Sequence, residues 1–155
     1  MRGAGLSFRL VRCDPAGEPV EPLGALPSEL AQANAASAAL FQRIGYVAPW
    51  VSYVAVADGA PVGGGAFVGP PRDARVEIAY FTLPEHAGKG HATNTARGLV
   101  EIARASAPDL TVVAFTLSER NASNHVLEKL GFRHRGLAED ADAGTVWEWR
   151  LEPSD

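Results

Sequence analysis

The stretch Val76-Glu77-Ile78-Ala79-Tyr80-Phe81-Thr82-Leu83-Pro84-Glu85-His86-Ala87-Gly88-Lys89-Gly90-His91-Ala92-Thr93 decides the fold. The residues before Pro84 are dense in β-branched and aromatic types, while Ala92, Ala96, Leu99, Val100 and Ala103 recur at helical spacing. A strand over 76–83 therefore delivers the chain to a turn that opens a helix over about 91–106. Gly88 and Gly90 carry no Cβ, so backbone N–H groups there can approach an anion closely. The helix N-terminus adds unpaired donors and a favourable dipole, and Lys89 brings a positive charge to the same spot. The turn reads as a cradle for a pyrophosphate.

Working outward, Asp58-Gly59 separates two strand-like runs, 50–57 and 61–68, and suits a tight hairpin because both positions tolerate positive φ. Residues 6–12 alternate as a first strand, and the proline- and glycine-rich stretch 15–27 reads as a loop. Ser28 is the candidate N-cap of an Ala-rich first helix, which ends at Gly45 and allows a break in its middle. Downstream, Ala107-Pro108-Asp109 stops the helix and 110–117 forms another apolar strand. Asn121 caps a short helix over 121–130, Gly131 terminates it, and 132–137 with 145–151 make a closing antiparallel pair around an acidic tip, Glu139 to Asp142. This order predicts an α/β chain of α+β type with a mixed sheet, in which one helix crosses over between 76–83 and 110–117.

At 155 residues and 46% hydrophobic content the chain is expected to be one domain, 1–155. A net charge of −4 gives no global basic field, which argues against a dedicated nucleic-acid binder and for a neutral or cationic partner. No apolar run is long enough for a membrane span, and residues 1–5 lead directly into strand-like sequence with no signal-peptide core. The lone Cys13 has no partner for an intramolecular disulfide and reads as a small buried hydrophobe. Cytoplasmic residence is the expectation. The four histidines, His86, His91, His125 and His134, lack metal-site spacing, so no metal is expected.

The turn is not a P-loop, because Lys89 lies between the glycines and Gly90 follows it. It also misses a dinucleotide fingerprint, which wants Gly or Ala where Thr93 stands. The second informative stretch is Asn121-Ala122-Ser123-Asn124-His125-Val126-Leu127-Glu128-Lys129-Leu130-Gly131-Phe132. Together, residues 84–93 and 121–132 resemble the GNAT superfamily of acetyl-CoA-dependent N-acetyltransferases, in particular its RimJ/RimL-like branch. They match in order and spacing, and the order of elements fits from about residue 50 to the end. Glu85, Ala87 and His91 depart from the family's usual spelling, which leaves Lys89 and the backbone donors more of the phosphate binding.

The resemblance implies a GNAT-like mixed sheet whose central strands splay apart to admit the pantetheine arm of acetyl-CoA, the cosubstrate. The acetyl-CoA-binding core would lie at about 76–132, with acceptor specificity in about 1–45. It implies free N–H groups near Phe81, Thr82 and Leu83, a pyrophosphate on Gly88, Lys89, Gly90, His91, Ala92 and Thr93, and Asn121 and Ser123 near the pantetheine. Glu77 is the candidate general base, through water. Ser123 is the candidate donor to the thiolate, with Tyr80 an alternative acid on the opposite face of its strand. The implied reaction transfers an acetyl group to a primary amine, with an unassigned acceptor. A non-catalytic acyl-CoA sensor, or a module for another nucleotide, is the alternative. Trp147 and Trp149 are expected in the core, Arg97 and Arg104 as solvating charges, and the last strand as a surface through which a homodimer pairs.

Overall fold

The computed structural model describes residues 7–117 and 122–153. Seven strands form one sheet in the order β1-β2-β3-β4-β5-β7-β6: β1 Phe8–Arg12, β2 Ser52–Ala57, β3 Ala60–Phe67, β4 Arg75–Thr82, β5 Thr111–Leu117, β6 Arg133–Asp140 and β7 Gly144–Leu151. The helices are α1 Ser28–Ile44, α2 His91–Ser106 and α3 Ala122–Lys129, and a short 3-10 turn, Pro84–His86, precedes α2. The β2–β3 hairpin closes through Asp58 at φ 50 and Gly59 at φ 82, the two positive angles expected of it.

Strand β3 carries three glycines in a row, and they set how closely the layers approach. A Cβ on Gly64 would stand 3.2 Å from Leu30 Cδ1 of α1, and one on Gly65 would stand 2.9 Å from Leu99 Cδ1 of α2. Successive strand residues point to opposite faces, so α1 and α2 cover opposite sides of the sheet. The α2 side holds Ala96, Leu99 and Ala103 against Phe67, Val76, Ile78, Val112 and Ala114, while the α1 side packs Leu30 with Val54, Leu83 and Phe81.

The central pair explains the site. β4 runs parallel to β5 only at Arg75–Thr111, Val76–Val112 and Glu77–Val113. Beyond Glu77, β4 stays paired with β3 and β5 with β7, so the two strands part. The expected splay is present.

Three expectations change, and a fourth falls outside the described residues. The first helix is unbroken, and its N-cap is Pro27, with no side-chain cap; the N–H of Ala31 donates to Pro27 O at 2.9 Å, so Ser28 already lies inside the first turn. Asn121, the expected cap of α3, lies outside the described residues. Arg104 is no free surface charge: its guanidinium donates to the carbonyls of Leu110, Leu151 and Glu152, pinning the end of α2 to the start of β5 and the end of β7. Finally, β7 lies between β5 and β6, so its edges are already used and the last strand offers no pairing surface. Trp149 is buried as expected, with its indole N–H donating to Thr116 Oγ1 at 3.0 Å.

Candidate active site

A cavity of about 350 Å³ opens where β4 and β5 part. Its walls are the end of β4 (Tyr80, Phe81, Thr82), the turn and first residues of α2 (His86 to Gly88 and Gly90 to Thr93), and one stripe of α3. Gly88 has φ 78 and Gly90 φ 84, left-handed angles that glycine adopts without strain, and a Cβ on either would meet nothing within 4 Å. Backbone conformation, rather than crowding, is why glycine stands there. Gly90 is the N-cap of α2 and no side chain caps it. The first intrahelical bond runs from Asn94 N–H to Gly90 O at 3.1 Å. The N–H groups of His91, Ala92 and Thr93 therefore have no partner within the helix.

Strand register decides which β4 donors face the gap. The N–H of Val68 donates to Glu77 O and that of Leu83 to Val62 O, which places Glu77, Ala79, Phe81 and Leu83 in the pairs that exchange bonds with β3. The intervening residues direct their N–H groups the other way, into the gap. So the donors of Tyr80 and Thr82 face the cavity. Those of Phe81 and Leu83 do not, contrary to expectation, and Leu83 is a fully buried core residue.

Two residues that line this cavity each carry a buried side-chain atom without a hydrogen-bond partner, Thr82 Oγ1 and His91 Nδ1. His91 stacks on Phe8 at 6.3 Å and meets His86 edge-on at 6.2 Å. Burial, followed by the nearby His86 and Lys89, lowers its pKa, so it faces the cavity as a neutral imidazole. Lys89 is exposed and does not line the cavity; Lys129 does. Lys129, which the sequence reading did not single out, shares a helical stripe with Ala122 and Val126 at spacings of four and three, a periodicity that marks it as facing the same way.

The Tyr80 hydroxyl donates a long 3.4 Å bond to the carbonyl of Ser123, and both residues border the cavity. Burial drives the Tyr80 pKa far up, only partly opposed by its contact with Ser123, so the phenol stays protonated and is a proton donor rather than a base. Glu77 lies on the other face of β4 and lines a separate recess with Arg72, Val113, Phe115 and Glu148. Burial raises its pKa, and the charge of Asp140 on the acidic tip pushes the same way. Asp140 itself is held ionised, because the N–H groups of Ala143 and Asp142 each donate to its Oδ1 at 2.8 Å.

A second cavity, of about 190 Å³, lies between α1 and the sheet, and Tyr80 and Phe81 border it as well. The two spaces therefore share the end of β4 as a wall. No group of three or more His, Cys, Asp or Glu side chains that could hold a metal occurs among the described residues. No helix among them is long and apolar enough to cross a membrane.

A parted parallel strand pair with an uncapped helix N-terminus at its mouth is an arrangement that suits an anionic ligand. The family profile of the acetyltransferase (GNAT) domain matches residues 24–133, and the chain belongs to this family, in its RimL-type branch. Solved structures share the fold. RimL, the ribosomal L7/L12 alpha-N-protein acetyltransferase, in complex with coenzyme A, superposes with a TM-score of 0.68 at 17% identity over 94% of each chain. A Salmonella typhimurium protein described as an acetyltransferase, solved with its cofactor acetyl-CoA, gives 0.64 at 18% identity over 98% of this chain and 96% of that one. A protein of Acinetobacter baylyi, also described as an acetyltransferase, gives 0.64 at 18% identity over 96% and 94%. Among curated protein sequences no match is found.

Proposed function

We propose that this GNAT acetyltransferase takes its acetyl group from acetyl-CoA and transfers it to a primary amine by direct attack in a ternary complex. The observation that carries this reading is that two cavities, one at the strand gap and one under α1, are walled by the same two residues, Tyr80 and Phe81. Such an arrangement suits two substrates that approach one reacting carbon from opposite sides of the sheet.

The residues at the gap fit the donor. N–H groups of His91 to Thr93 suit the pyrophosphate, with Gly88 and Gly90 shaping the turn and Lys129 and Lys89 supplying positive charge. Thr82 Oγ1 and His91 Nδ1, both without partners, suit the polar atoms of a ligand such as pantetheine. When bound, acetyl-CoA supplies an activated acyl carbon. The N–H groups of Tyr80 and Thr82 are positioned to stabilise negative charge developing on its oxygen. Glu77, through water, accepts the proton lost as the amine nitrogen forms its bond to carbon. Tyr80 gives its phenolic proton to the sulfur as the C–S bond breaks, and regains one from solvent, so one proton is taken and one given. Ser123 lies beside Tyr80 at this end of the cavity.

The test pairs two substitutions at one position. Gly88→Ala and Gly88→Asp share the strain of a side chain at φ 78, roughly 1–2 kcal/mol. Only Asp adds a negative charge at the cradle. Calorimetry with acetyl-CoA should show Gly88→Asp binding at least tenfold more weakly than Gly88→Ala. Equal affinities would remove this turn from cofactor binding, and tight acetyl-CoA binding without thiol release toward any amine would favour a sensor.

A further inference from the structure

At the end of the sheet away from the strand gap, a recess of about 200 Å³ is lined by Gly131, Arg133, Arg135, Arg150, Leu151 and Glu152. Leu151 pairs with Val112, whereas the gap opens beyond Glu77 and Val113, and the recess shares no lining residue with the cavity at the gap. Arg133 of β6 stands directly opposite Arg150 of β7 in the ladder. Like charges so placed repel, and a guanidinium does not escape by losing its proton. A bulge between His134 and Gly136 adds a third arginine: Arg135 has no partner in the ladder, and Gly136 rather than an arginine stands opposite Glu148.

The surrounding fold answers only part of this charge. Arg150 pairs with Glu148 through its Nε. Glu152 lines the recess, but its Oε1 accepts the Thr111 hydroxyl at 3.0 Å, and among the described residues no ion pair joins it to any of the three arginines. Arg133 and Arg135 make no ion pair with any described residue. The chain as a whole carries a net charge of −4, so three arginines around one recess are a local reversal of its field.

We propose that this recess binds a doubly charged oxyanion of the phosphate type. The planar fork of a guanidinium matches two phosphate oxygens at once, and an anion shared by Arg133 and Arg150 turns their mutual repulsion into a common attraction. Size sets an upper bound on the ligand: drug-sized molecules occupy pockets of roughly 300–1,000 Å³, so this smaller recess admits the anionic group itself. The Glu152 carboxylate on the same wall opposes any anion, and a monovalent one that meets a single exposed guanidinium gains little. Inorganic phosphate and the terminal group of a phosphate monoester share the required chemistry.

The test is calorimetry on the full chain in excess acetyl-CoA, so that the turn at Gly88 and Gly90 does not compete, with inorganic phosphate, glycerol 3-phosphate, acetate and chloride titrated at matched ionic strength. Phosphate should bind as a single site, about tenfold or more tighter than acetate or chloride. Comparable affinity for glycerol 3-phosphate assigns a monoester as the source, and affinity about tenfold lower assigns the free ion. Arg133→Gln and Arg135→Gln should each weaken phosphate binding about tenfold while leaving acetyl-CoA affinity unchanged, since neither residue borders the cavity at the gap. In the unsubstituted chain, phosphate should also shift the Nε–Hε resonances of Arg133 and Arg135 in a 15N–1H spectrum, a readout that depends on no variant and on no catalysis. Phosphate affinity no greater than that for acetate, equal affinity in both variants, or unmoved arginine resonances would each overturn the proposal.

Discussion

Gly63→Ala links the fold to the site through a single added methyl group. An ideal Cβ at Gly63 falls 2.2 Å from the backbone oxygen of Phe81 and 3.0 Å from Thr82 Cα. Neither atom is the flexible end of a side chain, so β3 and β4 must separate by about 1 Å to reach ordinary contact. Strands lie about 4.8 Å apart, and their bonds tolerate little stretching. The neighbouring bond from Leu83 N–H to Val62 O, 2.8 Å long, would be drawn to the edge of the range or beyond it. Overpacking costs about 1–3 kcal/mol, and one or two weakened bonds add roughly 1 kcal/mol. The expected loss is about 2–4 kcal/mol, or roughly 5–15 °C in Tm for a chain of this size. Because Gly63 pairs with Thr82, the same displacement moves a donor that faces the gap, and KM for acetyl-CoA should rise several-fold. Gly98→Ala is the control. Its Cβ would lie 2.8 Å from Leu10 Cδ1, a side-chain tip that can turn away, and a helix gains about 1 kcal/mol from Gly to Ala. Urea titration of both variants decides the matter: a Gly63→Ala loss no larger than that of Gly98→Ala would refute the close-approach argument.

Two further predictions concern the acid and base. Since the folded-state pKa of Glu77 is raised, native protein binds that proton more tightly than unfolded chain, and stability falls as pH rises from the ordinary glutamate value through the raised one. Glu77→Gln should therefore be more stable than wild type at pH 7, with the gain shrinking toward pH 4, and should lower kcat/KM by roughly 10²–10⁴-fold while removing the acid limb of its pH profile. Unfolding curves at both pH values and a rate profile across that range test both halves. Tyr80→Phe keeps the ring and loses the proton donor, so kcat should drop by about 10²-fold or more with little change in acetyl-CoA affinity; an unaltered kcat would transfer the role of acid to Ser123 or solvent.

Local pattern made much of this molecule legible. The periodicity of Ala92, Ala96, Leu99 and Ala103 gave the correct bounds for α2, and Asp58-Gly59 marked its hairpin, because both depend on neighbours within a few residues. The glycine turn marked a helix N-terminus for the same reason. The packed side of α1 was hidden differently: its buried stripe is Leu30, Asn34, Ala38 and Phe41, but an Ala-rich helix blurs which face is inward. Arg104 looked like a surface charge, since the three carbonyls it meets come from the ends of β5 and β7.

By itself the sequence determined the order of strands and helices, the turn conformations and the family, all carried by residue types at short spacing. Only the tertiary structure decided which donors are available. Whether Phe81 or Thr82 faces the gap depends on the β3–β4 register, and a shift of one residue exchanges them. The length of the gap depends on the pairing of β4 with β5 ending at Glu77, between residues 36 positions apart in the chain, Glu77 and Val113. The α1 cavity depends on Gly64 of β3 lying beneath a helix that comes from an earlier part of the chain. These are relations between distant segments, and they exist once the layers have packed.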